Sequence, residues 1–401
     1  MRLSRLARSA KPSATLSIDA KAKRMKQQGQ DVLILTVGEP DFDTPDNVKQ
    51  AAIRAIQSGY TKYTAAAGAP ELRRAVAAKL RRDNGLDYKP DQVLVSNGTK
   101  QALYMIMLCL LEEGDEVLLP APYWVSYADQ VEVCGARPVA IDATGTADLK
   151  ITPEMLRSMI TPRSRLLVLN SPCNPSGVAY TEEELRAIVH VALEHDLWIF
   201  SDEVYETLIY DGLAHASAAA FSEEAYRHTI TFNGLSKSHA MTGWRIGYAA
   251  GPDDIIRAAS NLQSNLTSGP NSIAQKAAIE ALEGEQDSVA EMRAAFAERR
   301  EVIVNGLNKI PGVRCLMPQG AFYAFPDCRE LLGHTYAGRK VDGSVALSDA
   351  LLDVVKLAVI PGAPFGAEGY LRFSYAVSQS DIRRALGRFA EFVALTSDQG
   401  R

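Results

Sequence analysis

At 401 residues the chain is long enough to bury a large core and to hold two or three domain-sized units. With 47% hydrophobic and 23% charged residues its composition is that of a globular protein, and a net charge of −5 gives no reason to expect nucleic acid or an anionic membrane as partner. Five cysteines without a CxxC pair, and six histidines with neither HExxH nor a paired spacing, argue for reduced thiols in a cytoplasmic protein and against a metal site.

The N-terminus places Arg2, Arg5, Arg8 and Lys11 among serines, with no acid before Asp19. That composition overlaps with organellar transit peptides. No apolar stretch of the kind a secretion signal needs follows, and a basic arm is expected rather than a targeting segment. Residues 33–37 read as a strand. Between residues 90 and 250, β-rich runs are predicted at 92–96, 116–120, 138–141, 166–170, 197–201, 229–232 and 246–250. Several are apolar throughout, as strands covered on both faces must be. Helical patterns fall at 100–111, 182–195 and 273–282. The longest apolar run, 102–111, is about half of what a membrane-spanning helix requires. Beyond Glu285 a long charged helix to Leu307 is followed by β-like runs at 321–326, 359–360 and 370–375 and a final helix from Asp381.

The expected fold is therefore α/β, an open and mainly parallel sheet wrapped by helices, with a smaller α+β domain built from both termini. Its expected division is an arm and part of the small domain over 1–45, a large domain over 46–285 and the remaining small domain over 286–401.

In such sheets ligands bind beyond the carboxyl ends of the strands. Ser96-Asn97-Gly98-Thr99-Lys100 follows a strand and opens an apolar helix, where free N–H groups make a phosphate cup; an ordinary turn and helix cap would look similar. Asn170-Ser171-Pro172-Cys173-Asn174-Pro175-Ser176-Gly177 is a proline-fixed loop that aims Asn174 inward. Asp202 ends an apolar run and should be buried, where a carboxylate needs a cation or a salt bridge. Tyr205 lies on the same side of the next turn. Ser236-Lys237-Ser238 and, soon after, Thr242-Gly243-Trp244-Arg245 set an amine and a guanidinium near neighbouring strand ends.

Each segment alone has a structural explanation; together, and in this order, they resemble one family. With Lys11-Pro12-Ser13-Ala14-Thr15, Gly38-Glu39-Pro40-Asp41-Phe42, Pro122-Tyr123-Trp124, Met241 to Gly247 and Arg372-Phe373-Ser374-Tyr375-Ala376, nearly the whole chain is similar to fold-type I pyridoxal 5′-phosphate enzymes. Within them it resembles the class I aminotransferases of the bacterial aspartate aminotransferase branch. The resemblance implies that Lys237 bonds the cofactor and shuttles the proton, and that Asp202 keeps the pyridine nitrogen protonated. It further implies that Asn174 and Tyr205 hydrogen-bond the phenolic oxygen and that Trp124 stacks on the ring. Gly98, Thr99, Ser236 and Arg245 would hold the phosphate, helped by Tyr63 from a partner subunit, which implies a homodimer with shared active sites. Arg372 would take the substrate α-carboxylate, with Gly38 beside it. Where many relatives carry a hydroxyl residue three positions before the lysine, this chain has Gly234, so the cup lacks one ligand.

The resemblance also implies a dicarboxylate substrate, because Lys100, Ser13 and Thr15 match the positions that bind the distal carboxylate in this branch. Aspartate and 2-oxoglutarate are then the expected pair. Lys11 matches a lysine associated with accepting prephenate. His195-Asp196-Leu197-Trp198 and Ser236-Lys237-Ser238-His239 are similar to relatives acting on arginine, aromatic or neutral amino acids, which keeps that alternative open. A carbon–sulfur lyase fits the Trp124 and Lys100 pair less well. A ligand-sensing regulator on this fold would need a DNA-binding module, for which no stretch is long enough.

Overall fold

The computed structural model describes residues 14–396, and side chains from residue 17 onward. A short strand, β1 (Leu33–Ile34), comes first and belongs to a second core described below. Then β2 (Val93–Ser96), β3 (Glu116–Ala121), β4 (Arg137–Asp142), β5 (Ser164–Asn170), β6 (Trp198–Asp202), β7 (Thr229–Gly234) and β8 (Gly247–Ala250) form one sheet in the order β2-β8-β7-β6-β5-β3-β4.

Alternation of side chains splits each strand between two apolar layers. Val117 and Leu119 of β3 pack with Leu103 and Ile106 of the helix Thr99–Leu110, whereas Leu118 packs with Ile188 and Val189 of the helix Glu182–Glu194. Phe200 and Phe232 meet across β6 and β7 with tilted rings whose centroids are 4.7 Å apart, each burial contributing roughly 1.5–3 kcal/mol. The helix Glu182–Glu194 starts on a capping box: the Thr181 hydroxyl accepts from the Glu184 N–H, and the Glu184 carboxylate accepts from the Thr181 N–H.

Strands β3 to β7 pair in parallel, but β8 runs antiparallel to both β7 and β2. The connection 235–246 is spent on two short helical turns and is too short for a packed crossover helix, so the chain returns as a hairpin. The amino end of β8 therefore lies at the same edge as the carboxyl ends of β2, β5, β6 and β7. Register aligns Asn170 with Asp202, and Gly247 with both Gly234 and Ser96. Functional groups placed after four strands and before a fifth thus meet along one rim.

The second core is built on the helices Asp287–Leu307, Ser344–Val355 and Gln379–Ala394. It holds β9 (Tyr323–Ala324), the hairpin β10 (Thr335–Tyr336) and β11 (Arg339–Lys340), β12 (Leu357–Ala358), β13 (Ile360–Pro361) and β14 (Leu371–Ser374). β14 lies between β13 and β9, antiparallel to both, and β1 pairs in parallel with β12. Leu33 and Leu35 sit in this core among residues from 292 to 392. The run expected over 33–37 is strand only at its first two residues, and that expected over 321–326 only at Tyr323–Ala324. The helix Ala14–Gln27 packs Ile18 and Ala22 against Val32, Ile360 and Phe365. No helix among the described residues is long and apolar enough to cross a membrane.

Candidate active site

A cavity of about 500 Å³ opens along the rim of the sheet and is closed from the other side by the second core. Lys237 projects into it from the short helix Leu235–Ser238, its Nζ donating to the Gly38 carbonyl. Burial lowers the ammonium pKa to about 8; Glu39 and Asp202 oppose that shift, while Arg372 and Arg245 add to it.

Asp202, at the end of β6, is buried, and burial raises its carboxyl pKa to about 6. Two hydrogen bonds resist the shift, from the Tyr127 hydroxyl at 2.5 Å and from the Val204 N–H at 3.3 Å. No cation pairs with it among the described residues. Tyr205 is buried with its hydroxyl 2.8 Å from that of Tyr323, and burial raises its pKa well above the usual phenol value.

At one end of the cavity, Gly98 takes φ +82° and caps the helix Thr99–Leu110. A Cβ there would lie 2.4 Å from Arg245 Nη2, so only glycine lets that guanidinium lie against the loop. Arg245 is held by the carbonyls of Thr242 and Asn97, and the Thr99 hydroxyl donates to Asn233 O at 2.9 Å. Ser236 also lines the cavity. A Cβ on Gly234 would meet Thr99 Oγ1 at 2.7 Å, so no side chain fits there while Thr99 keeps this place. The missing hydroxyl noted in the sequence is thus matched to its neighbours.

At the opposite end Arg372, on β14, is buried between the rings of Tyr323 and Phe365. Its Nη1 donates to Asn174 Oδ1 at 2.9 Å and its Nη2 to Thr36 O at 2.7 Å, while Nε is buried without a partner. A buried donor left unpaired costs about 1–3 kcal/mol, which an arriving carboxylate would relieve. Lys100 borders the cavity with its Nζ 4.7 Å from the Trp124 ring centroid; burial, then Arg245, lowers its pKa.

Of the residues singled out in the sequence, Gly38, Thr99, Lys100, Trp124, Asn174, Asp202, Tyr205, Ser236, Lys237, Arg245 and Arg372 all line this one cavity, and Gly98 adjoins it. Tyr63 does not: it is 96% exposed and outside the lining. Lys11, Ser13 and the Thr15 side chain lie outside what the structure describes.

Sequence reasoning missed Tyr127, Tyr323, Thr36 and Asp19, which also line the cavity. Tyr127 had a signal, since it lies three residues after Trp124 at a helix start, and the two rings meet edge-on at 5.3 Å. A second buried cluster, Glu203, Glu206 and His215, brings acid and imidazole ligand atoms within 4.8 Å of one another. It is already filled: Lys79 pairs with Glu206, and Asn84 Nδ2 donates to both carboxylates.

The family model described as aminotransferase class I and II matches residues 30–389. The chain belongs to that family. It is 50% identical over 382 residues to an aspartate aminotransferase of Bacillus sp. strain YM-2, covering 95% of this chain and 96% of the relative. It is 48% identical to the aspartate/prephenate aminotransferase of Cereibacter sphaeroides, covering 96% of each. The solved aspartate aminotransferase of Thermus thermophilus with maleate superposes with a TM-score of 0.92 at 43% identity, covering 98% of this chain and 100% of that one.

This aminotransferase therefore works with pyridoxal 5′-phosphate, and the cavity fits that group. It offers a half-buried amine of lowered pKa, a buried carboxylate with no cation of its own, and a glycine-lined helix start beside an arginine. Those suit an aldehyde, a protonated ring nitrogen and a phosphate respectively.

Proposed function

We propose that this enzyme transfers the amino group of aspartate to 2-oxoglutarate, with prephenate as a further acceptor. The observation that carries the reading is the pair of cations left at the cavity besides Lys237, Arg245 and Lys23, the last of which is paired with Asp19. Arg372 has a free buried Nε, and Lys100 makes no ion pair among the described residues. Two such cations suit a substrate with two carboxylates. The names of the relatives, one of them solved with maleate and one named for prephenate, support the same choice.

In this reading Arg372 holds the α-carboxylate with Asn174 and the Gly38 backbone beside it, and Lys100 with the arm residues Ser13 and Thr15 reads the distal one. Lys11 belongs to the prephenate reading. When bound, pyridoxal phosphate would supply an aldehyde to carry the amino group and an electron-accepting ring beside it. Asp202 keeps a positive charge at the ring nitrogen. Tyr205 and Asn174 offer hydrogen bonds to the ring oxygen, Trp124 covers a ring face, and Gly98, Thr99, Ser236 and Arg245 hold the phosphate. Lys237 Nζ, neutral for part of the time near pH 8, would take the proton from the substrate Cα and deliver it to the cofactor's carbonyl carbon.

Lys100→Ala tests the choice of substrate. Loss of a charge-assisted contact costs roughly 1.5–3 kcal/mol, so kcat/KM for aspartate should fall by about one to two decades. Alanine and leucine as donors should change much less. Equal losses for acidic and neutral donors would make Lys100 a phosphate ligand only; no loss with either would favour a neutral or basic amino acid substrate.

The same reading makes the enzyme a homodimer in which Tyr63, fully exposed in the single chain, reaches the partner's phosphate. Mixing Tyr63→Phe chains with Lys237→Ala chains should then yield heterodimers with one unaltered site. Activity no higher than that of the Tyr63→Phe homodimer would place Tyr63 outside the site.

A further inference from the structure

Thr36 links Arg372 to Asp19 on the helix Ala14–Gln27. Its carbonyl accepts from Arg372 Nη2 at 2.7 Å, and its hydroxyl donates to Asp19 Oδ1 at 2.8 Å. Asp19 stands on the helix Ala14–Gln27, with only 17% of its side chain exposed, and its second oxygen pairs with Lys23 at 2.8 Å. Both Asp19 and Thr36 line the cavity.

The backbone ladder shows why this bond matters. Leu35 still pairs on both sides, its N–H with Ala358 O and its carbonyl with Ser374 N. The described ladder ends there, so the orientation of the Thr36 peptide rests on its side chain. Threonine is stiff about χ1, and fixing its hydroxyl on a carboxylate fixes the residue that carries the carbonyl. Among the described residues, Arg372 has two hydrogen-bonding anchors, Asn174 and that carbonyl.

We infer that Asp19 is a positioning residue for the carboxylate-binding arginine, acting through Thr36 to aim Arg372 at the α-carboxylate. This rests on reading the cavity as an amino-acid site, but not on which amino acid it takes. Arg372 reads the carboxylate common to all α-amino acids, so an effect routed through it is blind to the side chain.

The test is binding of α-methylaspartate and α-aminoisobutyrate to the cofactor-loaded enzyme, followed by the change in its visible absorbance. Both carry the α-carboxylate and neither has a Cα proton to lose. Asp19→Ala should raise both dissociation constants by about tenfold, the scale of one lost hydrogen bond. KM for aspartate and alanine should rise in parallel, with kcat changing less. Asp19→Asn, which keeps an acceptor for Thr36, should restore most of the loss, and Lys23→Ala should have little effect. Thr36→Val should reproduce Asp19→Ala, and the double variant should be no worse than either single one. A loss confined to acidic ligands would show that Asp19 serves the side-chain pocket and would overturn the proposal. Additive losses, or a fall in kcat with binding unchanged, would overturn it as well. Failure of the aspartate reading shows instead in the acidic-to-neutral ratio of the Lys100 variant, which Asp19 leaves unaltered.

Discussion

Alanine in place of Lys237 is expected to abolish the lysine-bound chromophore of the purified enzyme and to lower kcat by roughly two to four decades from lost proton transfer alone. Borohydride should fix the cofactor to the peptide containing Lys237 in the unaltered protein and to nothing in the variant. The choice of this lysine over the others rests on its setting. It is half-buried, its pKa is brought to about 8, and it stands with Asp202 and Arg245 in one cavity. An amine that must alternate between bonding a carbonyl and carrying a proton works best with a pKa near the working pH. Lys237→Arg preserves the positive charge and much of the volume, yet a guanidinium does not give up its proton in this range. It should therefore fail as completely as alanine. Label on another lysine of the unaltered protein, or borohydride-fixed cofactor in either variant, would move the attachment point elsewhere.

Much of this site is legible in sequence because the sheet brings strand ends together, and each strand end is a local pattern. Ser96 to Lys100, Asn170 to Gly177, Asp202 to Tyr205 and Ser236 to Arg245 are each readable within a few residues of an apolar run. The parallel sheet supplies the long-range step. The reversal of β8 is harder to read, since it depends on what the chain does with the short connection 235–246. Tyr323 was invisible for a different reason. It contacts Tyr205 across 118 positions, in a two-residue strand whose place is set by packing of the second core on the first. Asp19 and Thr36 belong to the same class: the helix Ala14–Gln27 is polar in composition and shows no strong apolar stripe, and Thr36 looked like the interior of a strand. Tyr63 is legible only by resemblance, because nothing within a single chain gives it a contact in the cavity.

Asn in place of Asp202 should have opposite effects on activity and on the stability of the cofactor-free protein. In the folded chain burial holds the Asp202 carboxyl pKa at about 6, against an ordinary value near 4. Because the folded pKa is raised, the folded state binds the proton more tightly than the unfolded state does. The contribution to stability is present in full below the ordinary pKa and is lost as pH rises through about 6. Near pH 8 the buried, uncompensated carboxylate then costs about 3 kcal/mol. Asparagine has the same shape and no charge: Oδ1 can accept from the Val204 N–H, and Nδ2 can donate to the Tyr127 hydroxyl. The cofactor-free Asp202→Asn protein should therefore melt at a higher temperature than the parent at about pH 8 and close to it at about pH 4. With cofactor the order reverses, since a ring cation beside Asp202 makes the carboxylate favourable, and removing one partner of a buried pair costs roughly 3–5 kcal/mol. That corresponds to about two to four decades in kcat, with cofactor binding weakened in the same variant. Melting curves of both proteins at the two pH values, with and without pyridoxal phosphate, decide the matter. An unchanged apo melting temperature across that range would show that Asp202 is not under electrostatic strain, and an active Asp202→Asn enzyme would show that it does not face the ring nitrogen.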